Sequence, residues 1–245
     1  MTPPASRAAV EFRTEALRYF LRQRALFRDL PEADLRDLAV SAIVRSLRKD
    51  DYLFHRAEPA TGLYFVRRGI VNLHRVALDG REVVIHFYRE GEMLAETPDE
   101  AGEGCPADAR AIVSSEIVMI PWRDFAEKCR HCPELALRLL SLMERSVHDL
   151  ATSFEDFVTG DSVTRFVHWL LRRCADASAA VEIDLGTTKR NLASELGVRQ
   201  ETLSRTLRQL SDSGYLVVRG RRIIVQDPRA LRSDWSERES CAAAA

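Results

Sequence analysis

The chain has 245 residues, 46% hydrophobic and 30% charged, with a formal net charge of −1. That hydrophobic share excludes an intrinsically disordered chain and suffices for one large or two modest cores, while the near-neutral charge gives no global attraction to an anionic polymer. No apolar run approaches the roughly twenty residues of a membrane span and no signal-peptide order opens the chain, so a cytoplasmic protein without membrane contact is expected.

Residues 1–25 read as an N-terminal helical arm, arginine-rich, with Phe12, Leu17, Phe20, Leu21 and Leu26 as candidate packing contacts. Pro31-Glu32-Ala33-Asp34 opens a further short helix, with proline near its first position and acids in its first turn. From Val44 to Ile120 the period changes to short alternating runs broken by glycine, as in Leu63-Tyr64-Phe65-Val66 before Gly69, Ile70 to His74 before Asp79-Gly80, and Val83 to Tyr88 before Gly91. Strands at this spacing predict an all-β barrel or sandwich over residues 26–132, with Asp79-Gly80 as a hairpin turn.

Helical period returns at Pro133. Ala136, Leu140, Met143, Val147, Leu150, Phe154 and Phe157 alternate steps of four and three, an apolar seam along a helix of residues 133–159. Leu135, Leu139 and Leu142 widen the apolar surface, so one side can meet the β-domain while the seam meets a second copy, making a homodimer. Cys129-Arg130-His131-Cys132 at the entrance is a single Cys-x-x-Cys, too few ligands to assign a metal. The five cysteines, with Cys105, Cys174 and Cys241, form no disulfide framework.

Residues 160–232 carry the sharpest pattern. Leu192 and Leu196 share a helical face, Gly197 supplies a permissive turn, and Leu203, Leu207 and Leu210 restart the stripe on a second helix. This is a helix-turn-helix. Gln200, Glu201, Ser204, Arg205 and Arg208 fall on the outward face, offering base-reading groups to a major groove of double-stranded DNA. Thr188, Lys189, Arg190, Arg199 and Arg208 suit phosphate contact. A wing follows, with Tyr215 to Val218 and Ile223 to Val225 as strands flanking a basic turn that includes Arg221. Between Lys189 and Arg232 ten basic residues face four acidic ones, near +6, an asymmetry that the whole-chain charge hides. Residues 233–245 read as a C-terminal tail.

Glycine-punctuated β-roll, seam helix and winged helix, in that order over about residues 26–232, resemble the Crp/Fnr family of bacterial transcription factors. The resemblance is carried by Gly69, Gly80 and Gly91, by Gly91-Glu92-Met93-Leu94-Ala95-Glu96, and by Glu201-Thr202-Leu203-Ser204-Arg205, which looks like the Glu-x-x-Ser-Arg signature of the Fnr branch. It implies an α+β architecture: a cyclic-nucleotide-binding-like β-roll or jelly roll, a dimerisation helix and a C-terminal winged helix-turn-helix. It also implies a non-enzymatic activator that binds palindromic DNA and contacts RNA polymerase.

For the signal, the resemblance places Ala95-Glu96, Cys105-Pro106 and Leu150-Ala151 where the cyclic-AMP branch holds its nucleotide with Gly-Glu, Arg-Ser and Thr-Ser pairs. Without the arginine a buried phosphate loses its counter-charge, which argues against cyclic AMP. An effector pocket is expected instead from Glu96, Cys105, Met143, Val147 and Leu150, mostly apolar. The Fnr iron–sulfur cluster needs four thiolates, three of them from an N-terminal segment, and residues 1–104 contain no cysteine. Similarity to haem-dependent nitric-oxide-responsive regulators, at Glu201 to Arg205 and Gly220-Arg221-Arg222-Ile223, makes haem an alternative, with His55, His74, His86, His131, His148 and His168 as ligands to choose from. Effector-independent and redox regulation stay open. A barrel enzyme using Glu92, Glu96 and His86 is the remote alternative, since no nucleophile motif or phosphate loop accompanies them.

Overall fold

The computed structural model describes residues 7–78, 82–95, 104–159, 161–174 and 177–243, apart from the side chains of 95, 153, 156, 157, 159 and 239–243. The Asp79-Gly80 turn, Gly160, Glu96 and the side chain of Phe157 lie outside the described residues. Two compact units divide the chain, residues 1–147 and 148–245, and helix α4 (Pro133–Thr159) runs through the division.

In the first unit α1 (Arg7–Arg22) and α2 (Glu32–Ser41) flank a 3-10 turn at Ala25–Phe27. Of the arm's expected contacts, Leu17, Leu21 and Leu26 are buried, Phe20 is half-buried and Phe12 is exposed. Leu17 and Leu21 share one core with Phe65 and Leu135, so the boundary expected at residue 25 is not a structural one. The arm's apolar stripe has nowhere else to hide from water.

The strands are β1 (Ile43–Leu47), β2 (Tyr52–Phe54), β3 (Gly62–Arg68), β4 (Ile70–Val76), β5 (Glu82–Arg89), β6 (Met93–Ala95), β7 (Asp108–Ala111) and β8 (Ser115–Pro121). They form two antiparallel four-stranded sheets, ordered β1-β8-β3-β6 and β2-β7-β4-β5. Alternation along β3 divides the core in two. Leu63 and Phe65, with Val118 and Ile120 of β8, meet the helices, whereas Tyr64, Val66 and Ile117 turn into the roll beside Leu73, Leu94 and Cys105. Helix α3 (Trp122–His131) buries Phe125 and is tied to α2 by Lys128, whose ammonium lies 2.8 Å from Asp34 and 2.6 Å from Asp37. Pro133 then opens α4, where a missing N–H costs nothing.

The second unit holds the end of α4, then α5 (Ser162–Cys174), β9 (Val181–Asp184), α6 (Lys189–Glu195), α7 (Gln200–Asp212), β10 (Leu216–Arg219), β11 (Arg222–Val225) and α8 (Pro228–Ala243). Its core gathers Phe166, Trp169, Leu170, Leu192, Leu203, Leu207, Leu216, Ile223, Leu231 and Trp235. Two expectations change here. Strand β9, not foreseen, extends the wing to a three-stranded sheet by pairing with β11. The residues expected to trail as a tail from 233 belong to α8, because Asp227 caps its first turn, accepting from the N–H groups of Arg229 and Ala230 at 3.0 Å each, and Trp235 needs burial. Among the described residues no helix is long and apolar enough to cross a membrane.

Candidate nucleic-acid interface

The expected reader assembles from local capping. Thr188 is the N-cap of α6, its hydroxyl accepting from Asn191 N–H at 3.3 Å, while Asn191 Nδ2 donates to the buried Thr187 at 2.6 Å. The turn is a Schellman closure: Val198 N–H donates to Ala193 carbonyl at 2.9 Å, Gly197 N–H to Ser194 at 3.2 Å, and Gly197 takes φ 63°. A residue with a side chain is strained there. A second closure ends α7, with Tyr215 N–H on Leu210 carbonyl at 3.1 Å and Gly214 at φ 78°.

Along α7 the faces interleave. Leu203, Thr206, Leu207 and Leu210 are buried, and Gln200, Glu201, Ser204, Arg205 and Arg208 are exposed. Glu201 and Arg205 stand one turn apart, about 6 Å along the axis, and no ion pair among the described residues occupies either. Thr188, Arg190 and Arg199 are exposed at the starts of α6 and α7, and Lys189 is half-buried. The wing is a two-residue hairpin: Arg219 pairs with Arg222, leaving Gly220, at φ 61°, and exposed Arg221 at the tip. Arg222 is held by Glu182 of β9 at 2.9 Å. Behind the reader, Arg173 reaches Glu195 of α6 at 3.0 Å and stacks 3.7 Å over Trp169, fastening α6 to α5. No motif announces that trio, since its members are scattered over 27 residues and meet only when α5 packs on α6.

The seam residues separate by exposure. Leu135 and Leu139 are buried and Leu142 and Met143 half-buried against the helical core of the first unit. Leu140, Val147, Leu150 and Phe154 are exposed, joined by Leu137 and Val158, and Ala136 is half-buried. Of the expected effector residues, Cys105 is 2% exposed inside the roll, whereas Met143 packs on the opposite face of the β1-β8-β3-β6 sheet, and Val147 and Leu150 are exposed. Within the first unit Cys105 and Met143 are thus held apart: a pleated sheet sends neighbours to opposite faces, and that sheet stands between them.

Among the described side chains, Cys105 and Cys174 sit in the cores of different units and Cys129 neighbours Cys132 at the end of α3; burial pushes the Cys129 thiol above its ordinary value. Three histidines face carboxylates: His55 Nδ1 lies 3.1 Å from Asp108, His74 Nε2 3.4 Å from Glu82 and His86 Nε2 3.5 Å from Glu92. His131 and His148 are exposed.

The family model described as cyclic nucleotide-binding domain matches residues 44–132, and that described as Crp-like helix-turn-helix domain matches residues 164–233. The chain is 23% identical over 200 residues to the global nitrogen regulator of Synechocystis, covering 79% of this chain and 89% of that protein. It is 25% identical over 192 residues to the fumarate and nitrate reduction regulatory protein of Escherichia coli K12, covering 76% of each. Among solved structures, FixK2 from Bradyrhizobium japonicum superposes with a TM-score of 0.68 at 24% identity, covering 78% of this chain and 96% of that one.

Proposed function

Because the chain belongs to the Crp/Fnr family of transcription regulators, which are not enzymes, we propose that it binds, as a homodimer, palindromic DNA with Fnr-like half-sites close to TTGAT and ATCAA. The observation that carries this reading is the set Glu201, Ser204 and Arg205, exposed together on α7 beside a capped, rigid turn. Arg205 can give two parallel hydrogen bonds to guanine O6 and N7, and Glu201 can accept from the cytosine amino group, so the pair demands a G·C in each half-site. Ser204 meets a neighbouring thymine. Gln200 adds a groove-facing amide, while Thr188, Lys189, Arg190, Arg199, Arg208 and the wing-tip Arg221 hold phosphates and set register.

Two readers are needed for a palindrome, roughly 34 Å apart. The exposed stripe of Leu140, Val147, Leu150 and Phe154 on α4 supports a two-fold contact between copies, since such a stripe is costly to leave wet. The β-roll is the sensor, and its effector is not cyclic AMP: buried Cys105 stands where the family's phosphate-gripping arginine is expected, and no guanidinium replaces it at that position. In the cytoplasm the DNA-bound dimer would activate transcription by contacting RNA polymerase. Fluorescence anisotropy with a labelled palindrome tests the reading; equal affinity for duplexes with and without the half-site G·C pairs would overturn it.

A further inference from the structure

Strand β4 turns Val71 and Leu73 into the roll, so alternation sends Asn72 and His74 to the outer face of the β2-β7-β4-β5 sheet. Polar side chains on an outer face are ordinarily wet. Both are instead 1% exposed. Three strands supply the cover. Tyr52 of β2 places its ring 6.1 Å from the His74 ring; Arg110 of β7, opposite Asn72 in register, lies 5.7 Å over Tyr52; and Glu82 of β5 receives Arg110 Nη2 at 2.7 Å and has His74 Nε2 at 3.4 Å. Asp108, directly opposite His74, is held by His55 Nδ1 at 3.1 Å and Arg56 N–H at 3.2 Å, and His55 stacks on Tyr52 at 4.2 Å. Among the described residues, the titratable and charged groups around His74 are therefore Tyr52, His55, Glu82, Asp108 and Arg110, while Arg75 alternates to the other face.

A carboxylate facing Nε2 calls for a hydrogen there, which leaves Nδ1 as a bare lone pair in the neutral ring. Nδ1 has no hydrogen-bond partner among the described residues, and neither has Asn72 Oδ1 or Arg110 Nε. We propose that His74 is a proton-binding site of the sensor sheet, whose occupation loosens the β4–β5 ladder when the surroundings acidify. A second proton on Nδ1 makes a cation that is shut away from water beside the Arg110 guanidinium. Burial is the main force holding the ring below the ordinary histidine value; Arg110 adds to it, against the opposing pull of Glu82, Asp108 and the Asn72 backbone carbonyl. A bulge interrupts β4–β5 pairing between Leu73 and His74, and β5 is an edge strand.

The sign follows from linkage. Unfolded chains take up the histidine proton near pH 6.5 and the native site only below that, so the contribution of this site to stability is constant above about 6.5 and falls as pH drops from there towards the native value. One proton changes the unfolded-to-folded ratio by up to about tenfold per pH unit below 6.5. The operator plays no part in this site, so its test is separate from DNA binding.

The test uses the full chain. Urea unfolding at pH 7.5, 6.5 and 5.5 is expected to show a loss of stability below 6.5 that His74→Gln reduces; parallel profiles for the two proteins would overturn the proposal. Where the variant fails to fold, nuclear magnetic resonance titration of the native chain decides, with the His74 ring expected to titrate below 6.5 and a midpoint at or above 6.5 refuting the site. Amide exchange, corrected for intrinsic rate, should show residues 70–76 and 82–89 losing protection at pH 5.5 ahead of β1, β3 and β8, and uniform loss or none would count against the latch.

Discussion

The Tyr215 hydroxyl donates to the Asp234 carboxylate at 2.6 Å, joining the root of the basic hairpin to helix α8. The same helix sends Trp235 Nε1 to Thr164 Oγ1 at 3.3 Å and buries Leu231 completely. One helix thus braces both Tyr215, three residues beyond the end of α7, and the first turn of α5. The matched family region ends at 233, so Asp234 and Trp235 lie just beyond it.

Trp235→Ala is expected to destabilise the second unit by about 3–5 kcal/mol, the cost of emptying a packed aromatic site. Tyr215→Phe, which removes one partly exposed hydrogen bond, should cost about 1 kcal/mol. Urea denaturation separates the two, and a Trp235→Ala protein as stable as the native one would mean that α8 is peripheral.

For the reader, replacing the half-site G·C pair should weaken binding by about 1–3 kcal/mol per site, and Arg205→Ala should erase most of that preference. Arg221→Ala at the wing tip should lower affinity for every sequence alike and flatten the salt dependence by about one ion. Anisotropy titrations at several salt concentrations distinguish a base contact from a phosphate contact.

The seam yields a paired expectation. Leu150→Glu and Phe154→Glu change exposed positions, so the folded monomer should persist while the solution mass falls and operator binding is lost. Met143→Glu should behave differently, lowering the unfolding midpoint as well, because Met143 packs against the helical core. Light scattering with thermal melts checks both; a Leu150→Glu protein that remains a full dimer would remove α4 from the interface.

Millimolar cyclic AMP is expected to leave the melting temperature and operator affinity unchanged, since a ligand that binds only the folded state must raise stability. A clear upward shift in the melt would restore the nucleotide to the roll.

The helix-turn-helix and wing tip were legible in the chain itself because each depends on neighbours. Thr188 caps the helix that begins at the next residue, Gly197 and Gly214 close helices through bonds spanning five residues, and Gly220 turns a two-residue hairpin. The seam's period was legible for the same reason, but not which leucines turn inward: Leu139 and Leu140 are adjacent and apolar, and only the helical core beside them buries the first and leaves the second in water. Tertiary pairing also set Cys105 and Met143 on opposite faces of one sheet, drew 233–243 into a helix whose tryptophan completes a core, and sealed His74 beneath side chains from three other strands. Local period reports which residues share a face, whereas burial is decided by what the rest of the chain, distant in sequence, brings against that face.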